Sequence, residues 1–190
     1  MDINVRVIKS GRRTISLEVT PDCEVILRAN RLTSRKEIER FIDSKADWIN
    51  RNVRKAMKLK EERDRAISAG ARLLNDEEIA ALKRKASKII PLRVKHYADI
   101  IGVEYGRIAI RYQKTRWGSC SGKHNLNFNC LLVNAPDEVL DYVVVHELCH
   151  ILEMNHSPKF WEEVKKVIPD YKKHRKWLKD NGESLHMVQA

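Results

Sequence analysis

The sequence predicts an α+β fold, and three observations predict it. Residues near the N-terminus alternate apolar and polar, as in Val5-Arg6-Val7 and Ile15-Ser16-Leu17, which is the period of half-buried strands. Further on, Ile79, Leu82, Ala86 and Ile89-Ile90 recur three to four residues apart, the spacing of a helix with one face in a core. Later still, the apolar run Tyr142-Val143-Val144-Val145 leads into a segment that carries three polar residues, His146, Glu147 and His150.

Taken in order, residues 3–9, 14–19 and 23–28 predict three strands, with Ser10-Gly11 as the first turn, arranged as a small N-terminal β-meander. Ser34 and Glu37 form a capping-box pattern that opens a helix with Ile38, Phe41, Ile42, Trp48 and Ile49 inward. Residues 52–65 mix Lys and Arg with Glu and Asp, as a solvated helix or hinge would. Asp76-Glu77-Glu78 starts another helix, which Pro91 is expected to kink or restart. Residues 107–112 and 125–132 alternate, and the small residues of 115–122 interrupt them. The two alternating runs predict an antiparallel hairpin across Gly122-Lys123-His124, followed after Pro136 by the helix with the polar triplet. The expected boundaries are a β-rich and helical extension over residues 1–70 and a second domain over 71–190, or one continuous domain over 1–190.

The chain of 190 residues has a net charge of +11. Residues 1–100 hold 24 Lys and Arg against 15 Asp and Glu, so most of the surplus lies there. Such a surplus is compatible with nucleic acid, nucleotides or acidic proteins as partners, although no zinc-finger spacing or aromatic-rich basic strand accompanies it. Cys23, Cys120, Cys130 and Cys149 are dispersed, with no C-x-x-C pair. No charged-then-apolar leader and no apolar run of membrane-spanning length is present. These features predict a reduced, cytoplasmic protein with no membrane partner.

His146-Glu147-Leu148-Cys149-His150 is an H-E-x-x-H pattern. Two histidines four apart on a helix lie about 40° apart around the axis and about 6 Å apart along it, so both imidazoles can reach one ion. Zn²⁺ is the usual guest, and Glu147 stands where a carboxylate can take a proton from water. Three polar residues in an apolar run would be costly if buried unpaired, and a shared ion removes that cost.

A catalytic zinc needs a third protein ligand. His156 is the candidate, ten residues after His146. A continuous helix would turn it about 240° away from His150, so the helix must end first. Asn155 is expected to close it in the left-handed conformation. Ser157-Pro158 then reads as the cap and first residue of a new helix over residues 159–168. Glu153 and His174 are rival ligands.

Four segments belong together: Thr115-Arg116-Trp117-Gly118-Ser119-Cys120, residues 125–134, Tyr142 to His150, and Asn155-His156-Ser157-Pro158-Lys159-Phe160-Trp161. In combination they resemble the YgjP-like metallopeptidase family, which is related to the SprT-like and Wss1-like zinc proteases. The resemblance implies a zincin-like fold, with a small antiparallel sheet packed on the H-E-x-x-H helix. It also implies that His156, before a small-Pro-x-aromatic segment, is the third ligand. The expected protein is therefore a zinc-dependent hydrolase with one Zn²⁺ per chain, held by His146, His150 and His156. The leading expectation is a metallopeptidase with Glu147 as general base, the strand over 125–129 receiving an extended peptide by edge addition, and Arg116 and Asn127 as candidate substrate-binding residues. Tyr171, His174 and Arg116 are candidates for stabilising the oxyanion. Some relatives are described as nucleotide hydrolases acting on UTP, so a UTP pyrophosphatase is the alternative, with Arg116, Lys114 and Lys123 as phosphate clamps. A nucleic-acid-associated protease is the third.

Overall fold

The structure is a computed structural model that describes residues 5–188; Ile3 and Asn4 of the first predicted strand lie outside the described residues. The chain forms two compact units, Met1–Ala69 and Gly70–Ala190.

In the first unit, β1 (Val5–Ser10), β2 (Ser16–Val19) and β3 (Val25–Asn30) form one sheet. Its order is β1-β3-β2, with β1 parallel and β2 antiparallel to β3. This corrects the predicted meander, which would have put β2 in the middle. Alternation identifies a strand but does not say which neighbours it takes; burial decides that. Val25, Leu27 and Ala29 are 1%, 0% and 0% exposed, so β3 needs a partner on each side. It starts later than predicted because Cys23 adopts a left-handed φ of 67° in the turn where its N–H meets the carbonyl of Thr20. The helix α1 (Arg35–Ser44) opens with the predicted capping box of Ser34 and Glu37. The helix α2 (Ala46–Ser68) runs through residues 52–65 without interruption, so of the two expectations for that segment it is the helix that forms. Ile38 packs on Leu27 and Ala29, while Ile49 and Val53 pack with Val25.

The second unit begins with a short strand β4 (Arg72–Leu73) and a long helix α3 (Asp76–Ile101), capped by Asn75 with Glu78 and ended by Gly102 at a left-handed φ of 76°. The helix continues past Pro91 as one element, so the expected restart does not occur. Three strands follow: β5 (Ile108–Arg111), β6 (Gly118–Cys120) and β7 (Leu126–Asn129). Their order is β5-β7-β6, with β5 parallel and β6 antiparallel to β7. The expected antiparallel hairpin of residues 107–112 with 125–132 is thereby corrected to a mixed sheet. The predicted turn is real, but it joins β6 to β7. Gly118, Ser119 and Cys120 present no apolar alternation, which is why this strand escapes the pattern.

A 3₁₀ turn (Cys130–Asn134) leads to α4 (Asp137–Leu152), α5 (Pro158–Val167) and α6 (Tyr171–Asn181). A second 3₁₀ turn and β8 (Met187–Val188), antiparallel to β4, complete the described chain. The core of this unit joins Ile90 and Val94 of α3, Phe128 of β7, Val144 and Leu148 of α4, and Phe160 and Val164 of α5. Arg93 reaches Asp141 at 3.0 Å and Asp137 at 2.9 Å, and the Tyr97 hydroxyl donates to Asp141 at 3.0 Å. These bonds fix α4 against α3. The fold is mixed α+β, as predicted, and no helix is long and apolar enough to cross a membrane.

Candidate metal centre

The helix α4 is apolar nearly all round, with Val139, Val143, Val144, Val145, Leu148 and Cys149 buried. Such a helix belongs in a core, so its polar residues need a reason to be there. It stops at Leu152, where Glu153 turns extended at φ −137°, ψ 102°. The stop is therefore not the predicted left-handed Asn155; among the described residues only Cys23 and His124 are non-glycine residues with positive φ. The reversal is made by extended Glu153 and by the N–H of Ser157 donating to the carbonyl of Asn155 at 2.8 Å. Ser157 caps α5 as predicted, its hydroxyl accepting from the N–H of Phe160 at 3.3 Å, with Pro158 in the first turn. His156 sits in the gap between α4 and α5 and points back.

There the three histidines meet. The Nε2 atoms of His146 and His156 are 3.0 Å apart. One ligand atom from each of His146, His150 and His156 lies within 4.8 Å of the others. Nδ1 of His150 faces the carbonyl of Glu153 at 3.1 Å. A carbonyl only accepts, so Nδ1 carries the proton and Nε2 keeps its lone pair for the cluster. Phe160, 0% exposed, forms the floor, its ring centroid 4.9, 4.5 and 4.8 Å from those of His146, His150 and His156. Burial, then the neighbouring imidazoles, pushes His146 down to about 3. Burial lowers His150 and His156 too. All three are thus neutral lone-pair donors at ordinary pH.

Glu147 points to the sheet. It is 5% exposed, and burial pushes its carboxyl up to about 8, with Arg116 pulling it down. The strand β6 runs against it. A Cβ on Gly118 would lie 2.6 Å from both Cγ and Oε1 of Glu147, so glycine lets the backbone approach the carboxylate. Asn129 donates to the carbonyl of Trp117, and Ser121 to that of Asn125. By the alternation of an antiparallel ladder, the N–H and C=O groups of Gly118 and Cys120 point away from β7, along an open edge beside Glu147.

Residues 13–80 and 75–181 match the model of the YgjP-like, metallopeptidase domain family. The chain belongs to that family. Hydrolysis is the activity that membership implies, and a peptide is the substrate class. Two crystal structures of metallopeptidase zymogens are similar to it. Abylysin of Pyrococcus abyssi is 28% identical with a TM-score of 0.44, covering 48% of this chain and 94% of its own. Jannalysin of Methanocaldococcus jannaschii is 25% identical with a TM-score of 0.42, covering 47% of this chain and 92% of its own. No match is found among curated proteins.

The cluster fits a metal ion on its own geometry. Two Nε2 atoms at 3.0 Å cannot both keep bare lone pairs facing each other without repulsion, and a shared cation removes it. The rivals stay apart. Glu153 contributes its backbone carbonyl to His150, and buried His174 pairs with Asp170 at 3.2 Å. Of the predicted substrate residues, Arg116 is exposed and close enough to Glu147 for its charge to be felt. Asn127 is not brought to the cluster. It pairs with Ser119, on the sheet face opposite Gly118, and its amide donates to the Ser119 hydroxyl at 3.3 Å. Tyr171 is buried and stacked on Trp161 at 5.1 Å. Trp117 packs on Gly182, where a Cβ would lie 2.7 Å from the indole.

Two features of the site carry no local sequence signal. One is the approach of Gly118 to Glu147. The other is Arg175, which lies over the Trp161 ring at 4.9 Å and is marked only by its place one turn after Tyr171.

Proposed function

We propose that the chain is a zinc-dependent metallopeptidase in which His146, His150 and His156 hold one Zn²⁺ and Glu147 is the general base. The observation that carries this is the convergence of three neutral imidazoles beside one buried carboxylate. Three nitrogen donors with room for a further ligand are the catalytic pattern for zinc, whereas Mg²⁺ and Ca²⁺ take oxygen. When bound, the ion polarises the scissile carbonyl and makes the attacking water more acidic.

The protein's own groups do the rest. Phe160 and the Glu153 carbonyl keep the imidazoles in one orientation. Glu147 takes a proton from water at a carboxylate oxygen and returns it to the leaving amine. Burial makes its carboxylate a stronger base than an exposed one, which suits it to take a proton from a water made more acidic by the ion. An extended peptide would pair with the free edge of β6, where Gly118 and Cys120 offer backbone groups. The strand β7, expected in that role, lies between β5 and β6 and has no free edge. Arg116 stands near Glu147 and is the better placed of the two predicted substrate residues. The four free cysteines support a reducing, cytoplasmic setting. Nothing in the family match supports a nucleotide or nucleic-acid partner.

The test is peptide hydrolysis by zinc-loaded protein beside Glu147→Gln. The variant is expected to keep its fold and one zinc per chain and to lose activity by about 10²–10⁴-fold, the usual contribution of a positioned acid–base group. Full activity in the variant, or metal analysis showing no zinc on the wild type, would sink the proposal.

A further inference from the structure

We infer that Arg175 binds a carboxylate of the substrate, so that the site prefers acidic peptides. The inference rests on the peptidase reading and deepens it. The helix α6 places Tyr171 and Arg175 one turn apart on the same side. The Tyr171 ring stacks on Trp161 at 5.1 Å and 14°. The Arg175 guanidinium carbon lies 4.9 Å from the centroid of Trp161. Trp161 in turn stacks on His156 at 5.5 Å and 26°. The guanidinium and a member of the histidine cluster therefore contact the same aromatic ring.

Two properties make Arg175 a recognition group. First, a guanidinium lying on an indole face is held in place, yet its N–H donors remain in its own plane and free to bond. Second, it is exposed, and no carboxylate among the described residues pairs with it, whereas Lys166 is paired with Glu163 and Lys176 with Asp180.

Because the guanidinium and His156 both lie against Trp161, a side chain or terminus of a substrate that flanks the histidine cluster comes within its reach. The planar N–H fork matches a carboxylate. That carboxylate is either an Asp or Glu side chain flanking the scissile bond or the free C-terminus of a short product segment. Lys172 and Lys179, three residues before and four after Arg175 on α6, extend the positive strip.

The experiment measures binding, so it does not depend on turnover. Zinc-loaded Glu147→Gln protein is titrated calorimetrically with alanine-based hexapeptides that carry a single Asp, or Asn in its place, at successive positions. Each is used with a free and with an amidated C-terminus. At the best position, the Asp peptide or the free terminus is expected to bind about tenfold more tightly than its neutral twin. Adding Arg175→Gln should abolish that ratio and leave the neutral affinity unchanged, while Arg175→Lys should keep part of it. The pair that shows the ratio identifies the side chain or the terminus as its source. Equal binding of all twins, or an equal loss for acidic and neutral peptides in Arg175→Gln, would overturn the inference. If the ratio is present but zinc-loaded wild type cleaves none of the peptides, the carboxylate site stands and the peptidase reading falls.

Discussion

The two three-stranded sheets share one plan. In each, the first strand is parallel to the last, the middle strand in sequence is an antiparallel edge, and the order is first-last-middle. Each hairpin turns at a non-glycine residue with positive φ, Cys23 at 67° and His124 at 56°. They differ in what the edge strand faces. In the first sheet the core-facing edge positions are Leu17 and Val19, which pack on Ile49, Val53 and Trp48. In the second the matching positions are Gly118 and Cys120, small residues beside Glu147. The buried polar side chains follow the same division: Asn129, Asp141, Glu147, His150, His174 and His186 all lie in the second unit. The same strand order thus gives an ordinary amphipathic module in one place and a candidate reaction site in the other. Function follows the residues that the core had to accommodate, not the topology.

The substitution expected to break this contrast most is His156→Ala. His156 is exposed, in the segment between α4 and α5, so its loss leaves the core intact. Zinc affinity should fall by more than about 100-fold, beyond the range for losing an outer-shell partner, and activity should fall with it. Unchanged affinity by competition with a chelator would show that His146 and His150 have another third partner.

Next in size is Gly118→Ala. The new methyl would meet the Glu147 side chain at 2.6 Å. The carboxylate is the flexible party, so it moves rather than the strand. A displacement of about 1 Å costs on the order of 10²-fold in rate, with zinc content and thermal midpoint nearly unchanged. Retained kcat would mean that the close approach has no bearing on the base.

How far the sequence foretold this depends on which force set each feature. The H-E-x-x-H helix, the Ser157 cap and the meeting of His156 with the other two imidazoles follow from local rules of spacing and capping, and they are legible. The order of the strands is not, because pairing is settled by which strand is most apolar, as β3 shows. The strand β6 is hidden for a related reason: Gly118 is there for its closeness to a residue 29 positions later, and no local pattern records that. The stack of His156, Trp161, Tyr171 and Arg175 is equally non-local, since it joins α5, α6 and the turn before them.

The smallest expected effect is also the control. Leu17 is the counterpart of Gly118, opposite Leu27 as Gly118 is opposite Phe128. It is half-buried and packs into both clusters of the first unit. Leu17→Ala should cost about 1–2 kcal/mol, less than the 2–5 kcal/mol of a fully buried site, read as a lower denaturation midpoint. Because no buried polar group depends on it, peptide hydrolysis and zinc content at a temperature where the protein is folded should stay within about twofold of wild type. A loss of kcat as large as that of Gly118→Ala, with stability unchanged, would mean that the first sheet acts in the chemistry. The contrast between the two sheets would then be one of position in the chain rather than of role.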